Sequence, residues 1–201
     1  MKNLNLSASS LKILSILISS PQEQNLHTLA AKAELSVMGI SKIIKRLAQQ
    51  KLVTITLFGK SHLVKLRKSS DNVIILSLAE QYRRAVFIEK HQWLGPVVDF
   101  LRENFASPAD FSLIFGSYAS GEESTASDLD ILIVSSSKKE VLKVIKTASV
   151  LLKIELSPVI VPAEEFIQKV RQKHRLYREI MEGKRIIISG EYEFWQRAVR
   201  F

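Results

Sequence analysis

The sequence predicts an α+β chain made of two unlike parts. Three observations carry that expectation. First, charge is unevenly placed. Residues 1–68 hold 11 Lys and Arg against Glu23 and Glu34, so the whole net charge of +9 sits there, while residues 69–201 carry 18 of each sign. Second, the first third reads as helices followed by two short alternating runs, whereas helical and strand-like segments alternate from residue 94 onward. Third, Leu113 to Val134, LIFGSYASGEESTASDLDILIV, joins two apolar runs through a Gly-Ser turn and a pair of acids.

Composition sets the bounds. A length of 201 residues allows one domain or two small ones. A hydrophobic fraction of 46% with mean hydropathy near zero describes a globular chain able to bury a core. With no cysteine there is no disulfide and no cysteine-based zinc site, and four scattered histidines argue against a histidine metal cluster. Leu11 to Ile18 is too short and too interrupted, by Lys12 and Ser15, for a membrane span or a good signal peptide. A cytoplasmic location without membrane association is the default expectation.

In the first third, Ser7 to Ser10 offer caps for a helix whose stripe is Leu11, Ile13, Leu14, Leu17 and Ile18. Pro21 stops it. Thr28 to Ala33 reads as a second helix, and Ser36 caps a third. There Ile40, Ile43, Ile44 and Leu47 fall at i, i+3, i+4 and i+7 and face the core. The opposite face shows Met38, Ser41, Lys42 and Lys45, with Arg46 at its edge. Leu52 to Leu57 then alternates, Phe58-Gly59-Lys60 turns, and His62 to Arg67 returns as a second strand.

That order over residues 7–68 resembles a winged helix-turn-helix of the MarR or ArsR kind. The resemblance implies that the third helix enters the major groove of double-stranded DNA and that the hairpin tip touches the backbone. Met38, Ser41, Lys42 and Lys45 would then face DNA, with Lys60 on the wing tip. Lysines suit phosphate contacts better than base reading, and no Arg or Asn opens the third helix, so the expected base contacts are weak. Winged helices also serve as protein-docking or dimer modules. The confined positive charge favours DNA.

Lys68 to Asp71 is polar and marks a boundary. Asn72 to about Lys90 reads as a linker helix with an apolar stripe through Val73, Leu76, Leu78, Tyr82, Val86 and Phe87. Such a helix either packs a homodimer or acts as a spacer. His91-Gln92-Trp93 interrupts, and Leu94 to Phe105 is a further helix with Gly95-Pro96 at its first turn. Domains of 1–68 and 94–201, joined by a linker of 69–93, follow.

The chemistry sits in the stretch from Leu113 to Val134. Strand side chains alternate faces, so Asp128 and Asp130 point one way and Leu129 and Ile131 the other. Paired carboxylates repel and lose solvation in a cleft. A divalent cation relieves that, and hard oxygen ligands suit Mg2+. The Gly116-Ser117 turn can offer backbone N–H groups and a hydroxyl to phosphate. Ser135 to Ser137 cap a helix running from Lys138 to about Leu151. Lys153 to Val161 reads as the third strand, Ala163 to Met181 as one amphipathic helix ended by Gly183, and Ile186 to Ser189 as a last strand.

Strand, Gly-Ser, about ten residues and Asp-x-Asp together resemble the nucleotidyltransferase superfamily that includes DNA polymerase beta, in its minimal nucleotidyltransferase branch. The resemblance implies a mixed sheet flanked by helices. It also implies a nucleotide site at Gly116 and Ser117, a metal held by Asp128 and Asp130, and a third carboxylate on the neighbouring strand. Glu155 is the acid available there, as general base or third metal ligand. The implied substrates are ATP or another nucleoside triphosphate and a hydroxyl acceptor. Minimal nucleotidyltransferases often act as antitoxins that modify a HEPN-type toxin, and the resemblance admits such a partner. One position departs from the pattern. The branch usually reads Gly-Ser-x-Ala-Arg-Gly, and Ser120 stands where Arg is expected. Two function classes therefore stand side by side. One is a DNA-binding nucleotidyltransferase. The other is a transcriptional regulator whose nucleotidyltransferase domain is inactive or only senses nucleotide.

Overall fold

The computed structural model describes residues 6–59, 61–124 and 127–201. The first third runs α1 (Ala8–Ile18), β1 (Gln24–Asn25), α2 (Leu26–Ala33), α3 (Val37–Gln49), and a hairpin of β2 (Val53–Phe58) and β3 (Ser61–Leu66). Each helix starts at a short polar side chain. Ser7, Asn25 and Ser36 accept the backbone N–H of Ser10, Thr28 and Gly39, satisfying donors the helix itself leaves open. The three strands pair antiparallel in the order β1-β3-β2. Ile40, Ile44 and Leu47 of α3 are fully buried against Ile13, Leu14 and Leu29, while Ile43 is half-buried. Arg46 departs from its expected place at the exposed edge. Its guanidinium donates to Ser10 Oγ at 2.9 Å and to Ser7 Oγ at 3.3 Å, and so ties α3 to the start of α1.

From residue 73 the chain builds α4 (Val73–Lys90), α5 (Gly95–Phe105), β4 (Phe111–Ile114), α6 (Gly116–Ser120), β5 (Leu129–Val134) and α7 (Lys138–Leu152). β6 (Leu156–Val161), α8 (Ala163–Arg171), α9 (Arg175–Met181), β7 (Ile186–Ser189) and α10 (Glu191–Ala198) complete it. The sheet order is β6-β5-β4-β7. β5 and β6 are parallel, and β4 is antiparallel to both its neighbours, so the sheet is mixed. Alternation splits β5 between two cores. Leu129, Ile131 and Ile133 pack with α5 and α7, and Leu132 and Val134 pack with α8, α9 and α10.

Three local departures from the sequence expectations have visible causes. The third strand begins at Leu156 rather than Lys153, because Lys153 takes the left-handed backbone (φ 52°) that ends α7. The expected helix over 163–181 is two helices, broken where Lys173 adopts φ 53°. The residues after β4, read as a turn, form the short helix α6. No helix of the described chain is long and apolar enough to cross a membrane.

The linker helix α4 is clamped on both sides rather than hung between two domains. Val73, Leu76 and Ala79 belong to one core that reaches from α1 to the sheet. Its buried face also carries charge that periodicity does not reveal. Glu80 is fully buried, 2.9 Å from Arg83 and in an ion pair with the fully buried Arg185. Arg83 donates to the carbonyls of Gly183 and Arg185, both at 2.8 Å. Arg84 donates to the carbonyls of Ile187 and Ile188 at 3.0 Å and pairs with Glu191. Burial pulls the Arg185 guanidinium below its usual range, and the Glu80 charge opposes that. Gly183 (φ 101°) lets the end of α1 pass so closely that an added Cβ would run into the Ile18 carbonyl. Removing one partner of a buried pair leaves the other charge uncompensated, at about 3–5 kcal/mol. Glu80→Ala is therefore expected to lose about that much unfolding free energy, read from urea denaturation. An unchanged midpoint would show that the arginines find other partners.

Candidate functional site

The site forms where β4 ends and β5 begins. Ile114 pairs with Ile131, and the Phe115 N–H donates to the Asp130 carbonyl at 3.1 Å. The next residue, Gly116, has φ +69°, a conformation that favours glycine. Glycine is required here for a second reason, since a Cβ at Gly116 would collide with the Asp130 carboxylate. The turn into α6 and the Asp130 side chain are thus packed directly on each other. At the start of α6 the first amides, those of Ser117 and Tyr118, have no partner within the helix.

Asp130 is half-buried, and Asp128, one residue before β5, is exposed. Burial first, and then the Asp128 charge, raises the Asp130 carboxyl above the usual carboxylate range. The Ser157 hydroxyl, opposite Asp130 on β6, pulls it back. Among the described residues no Lys, Arg or His forms an ion pair with either aspartate. Two carboxylates that repel each other, one of them desolvated and neither in an ion pair among the described residues, fit a divalent cation.

Glu155 lies just before β6. Its carbonyl accepts the Leu129 N–H at 3.2 Å, so its backbone is level with Asp128 and its side chain is exposed. Asp128 and Glu155 line one cleft of about 620 Å³ with Lys153, Trp93 and Tyr118. Among the described residues no three His, Asp or Glu side chains gather closely enough to hold a metal ion. The reason is visible on β6, where the residue facing Asp130 is Ser157 and not an acid. The chain thus offers two carboxylates to a cation rather than a cage, which is the usual arrangement when substrate phosphates complete the shell.

Ser120, in the place where Arg was expected, is exposed and turns back on its own helix. Its hydroxyl lies 3.1 Å from the carbonyls of Gly116 and Ser117 and 3.2 Å from the Glu122 carboxylate. The position carries no cation, and an acid stands next to it.

On the far part of the chain, Met38 is 71% exposed, and Lys42 and Lys45 project from α3. Ser41 is half-buried and, with Lys45 and His62, lines a small groove between α3 and the hairpin. Lys60, expected on the hairpin tip, lies outside the described residues. Leu57 and Phe58 at the tip are 67% and 74% exposed.

Sequence reasoning missed Ser157, because only acids were sought on the third strand. It also missed the aromatic side chains beside Asp128. A tryptophan at the break between two helices, in His91-Gln92-Trp93, was the available signal.

With this geometry in hand, the comparison with known families is direct. Residues 97–187 match the family model described as the nucleotidyltransferase domain. The matched segment takes in most of α5, the Gly116 turn, both aspartates and Glu155, and ends in β7. No curated protein and no solved structure matches the chain. That segment of the chain is similar to a nucleotidyltransferase domain, and residues 1–96 and 188–201 lie outside the match.

A raised carboxyl favours the folded state while protonated, and that advantage fades as pH rises through its pKa. Asp130→Asn should therefore raise the melting temperature of the metal-free protein near neutral pH, by about 2–4 °C for each kcal/mol of repulsion removed. The gap over wild type should close on acidification into the carboxylate range. A gap that is constant with pH would refute the electrostatic account.

Proposed function

We propose that this protein transfers a nucleoside monophosphate from a magnesium-bound nucleoside triphosphate, ATP or another, to a hydroxyl acceptor. The observation that carries the reading is the packing of the Asp130 carboxylate against the Gly116 turn inside a segment matched by the nucleotidyltransferase domain. Mg2+ held by Asp128 and Asp130 supplies the charge that neutralises the triphosphate oxygens. Gly116 and Ser117 hold the phosphate chain through the open amides of α6 and the Ser117 hydroxyl. The acceptor oxygen bonds to the α-phosphorus as the bond to pyrophosphate breaks, and pyrophosphate departs with the electron pair. Glu155, in the same cleft as Asp128, takes the acceptor proton as general base.

The first third is proposed to bind double-stranded DNA in the manner of a winged helix-turn-helix. Its exposed Lys42 and Lys45 and the local excess of nine positive charges support this. A HEPN-type toxin as acceptor-bearing partner, and a homodimer through α4, belong to the same proposal. Ile74 and Leu78 are 65% and 39% exposed on α4, which supports the homodimer.

A second reading is favoured by Ser120. Its hydroxyl is spent on its own helix, and Glu122 stands beside it, so the cation of the usual pattern is replaced by negative charge. On that reading the domain senses nucleotide without transfer, and the protein is a transcriptional regulator.

Calorimetry with ATP, CTP, GTP and UTP in magnesium tests the common part of both readings. Binding of at least one is expected, lost without magnesium and lost in Asp128→Asn/Asp130→Asn. No binding of any would sink the enzyme and the sensor alike. Release of pyrophosphate with labelling of an acceptor then separates transfer from sensing. For the DNA part, affinity for a generic duplex should fall steeply with salt. Lys42→Ala/Lys45→Ala should weaken it on every sequence and flatten the salt slope by about two units, at about 0.9 for each phosphate contact. Binding that ignores salt would assign the first third to protein docking.

A further inference from the structure

The cleft lined by Asp128 and Glu155 has a wall that the transfer chemistry does not use. Trp93 lies in the short turn between α4 and α5 and is 56% exposed, although it sits against buried neighbours. Its ring meets the Tyr118 ring edge-on, with centroids 6.0 Å apart and planes at 64°. Tyr118 is buried, and its other side is held by His91, 6.1 Å away and again edge-on. His91 is itself fixed twice. Nδ1 lies 2.9 Å from the Phe87 carbonyl, and Nε2 lies 2.8 Å from the Glu123 carboxylate. Trp93 is therefore a large aromatic surface propped from behind and open to the cleft in front. Exposing an indole this way forgoes burial that would otherwise stabilise the fold.

The cleft's other side carries Asp128, Glu155 and Lys153. Its volume of about 620 Å³ falls within the range of small-molecule sites. Tyr118 also follows Ser117 directly on α6, so the turn assigned to the phosphates and the support of the indole belong to one rigid element. A ligand with phosphate at one end and a flat ring at the other matches that placement.

We infer that Trp93 is the stacking platform for the nucleobase of the bound nucleoside triphosphate. This rests on the proposed nucleotide site and adds to it a positioning residue outside the matched family segment, which begins at residue 97. Trp93 orients the nucleotide through its base and takes no part in bond making. Stacking reads a π-face, which every base has, so Trp93 contributes affinity and orientation more than choice among bases.

The protein has two tryptophans, and the other, Trp195, is 1% exposed, which makes the test optical as well as thermodynamic. The probes are the nucleoside triphosphate that binds best in magnesium, and magnesium tripolyphosphate, which has no base. The triphosphate should quench the iodide-accessible emission of the wild type, and Trp93→Ala should lack that response. Trp93→Ala should also weaken the nucleotide roughly 5- to 150-fold, the usual span for one lost base stack, while leaving tripolyphosphate affinity unchanged. Trp93→Phe should recover most of the loss. Equal loss for both probes would mean that Trp93 only supports the fold, and undiminished nucleotide binding would mean that the base lies elsewhere. Either overturns the inference and leaves the nucleotide site standing. If no triphosphate binds the wild type at all, the proposed function itself fails, and this inference with it.

Discussion

Glu80 is the point on which the rest of the molecule turns. A carboxylate with no exposed surface needs partners for its charge, and Arg83 and Arg185 supply them from two different parts of the chain. Arg83 also donates to the carbonyls of Gly183 and Arg185, and Arg185 to that of Ile180. This fixes both the rotation and the height of α4 against β7. One turn of α4 further on, Arg84 repeats the device with Glu191 and two carbonyls of β7. The far end of α4 then delivers His91 and Trp93 to the side of α6. The placement of the aromatic wall is a consequence of charges buried elsewhere along the same helix.

The same helix binds the basic first third to the four-stranded sheet. One hydrophobic core runs from Leu14 through Leu76 to Leu113 and Trp195. Where α1 meets the turn after α9 there is no room for a side chain at Gly183. Lys12 and Lys32 of the first third line a cleft of about 500 Å³ together with Ser120 of α6 and Gly121, which ends it. The two parts are thus neighbours at the site as well as along the chain.

The site is built against stability. Asp130 loses water, faces Asp128 and is pressed on a glycine that admits no Cβ. Functional sites commonly carry such costs, and the core around them compensates. Ile131 and Ile133, on the opposite side of β5 from Asp130, and Leu132 and Val134, on its own side, are all fully buried, so the strand is anchored on both faces beyond the acids at its start. Ser120 belongs to the same balance. Its hydroxyl lies against the Gly116 and Ser117 carbonyls of the short helix α6.

Much was legible in the sequence because it depended on neighbours along the chain. Ser7 and Ser36 cap their helices because a short hydroxyl reaches an amide three residues on. Strand parity placed Asp128 and Asp130 away from Leu129 and Ile131. The Gly-Ser turn and the Asp-Leu-Asp pair, ten residues apart, marked the site. Local pattern was blind to what distant residues supply. Glu80, Arg83 and Arg84 were no part of the apolar stripe read for the linker helix, and each has a partner about a hundred residues further along. Ser157 became the neighbour of Asp130 through strand register, which only the pairing of β5 with β6 decides. Trp93 became part of a cleft because α4 is held at one height. The sequence by itself determined most of the order of elements, the charge of the first third and the pair of acids at the start of β5. Tertiary structure alone decided which buried charges meet, which side chain faces Asp130 and where an aromatic surface stays open, since each is set by packing between segments that share no local pattern.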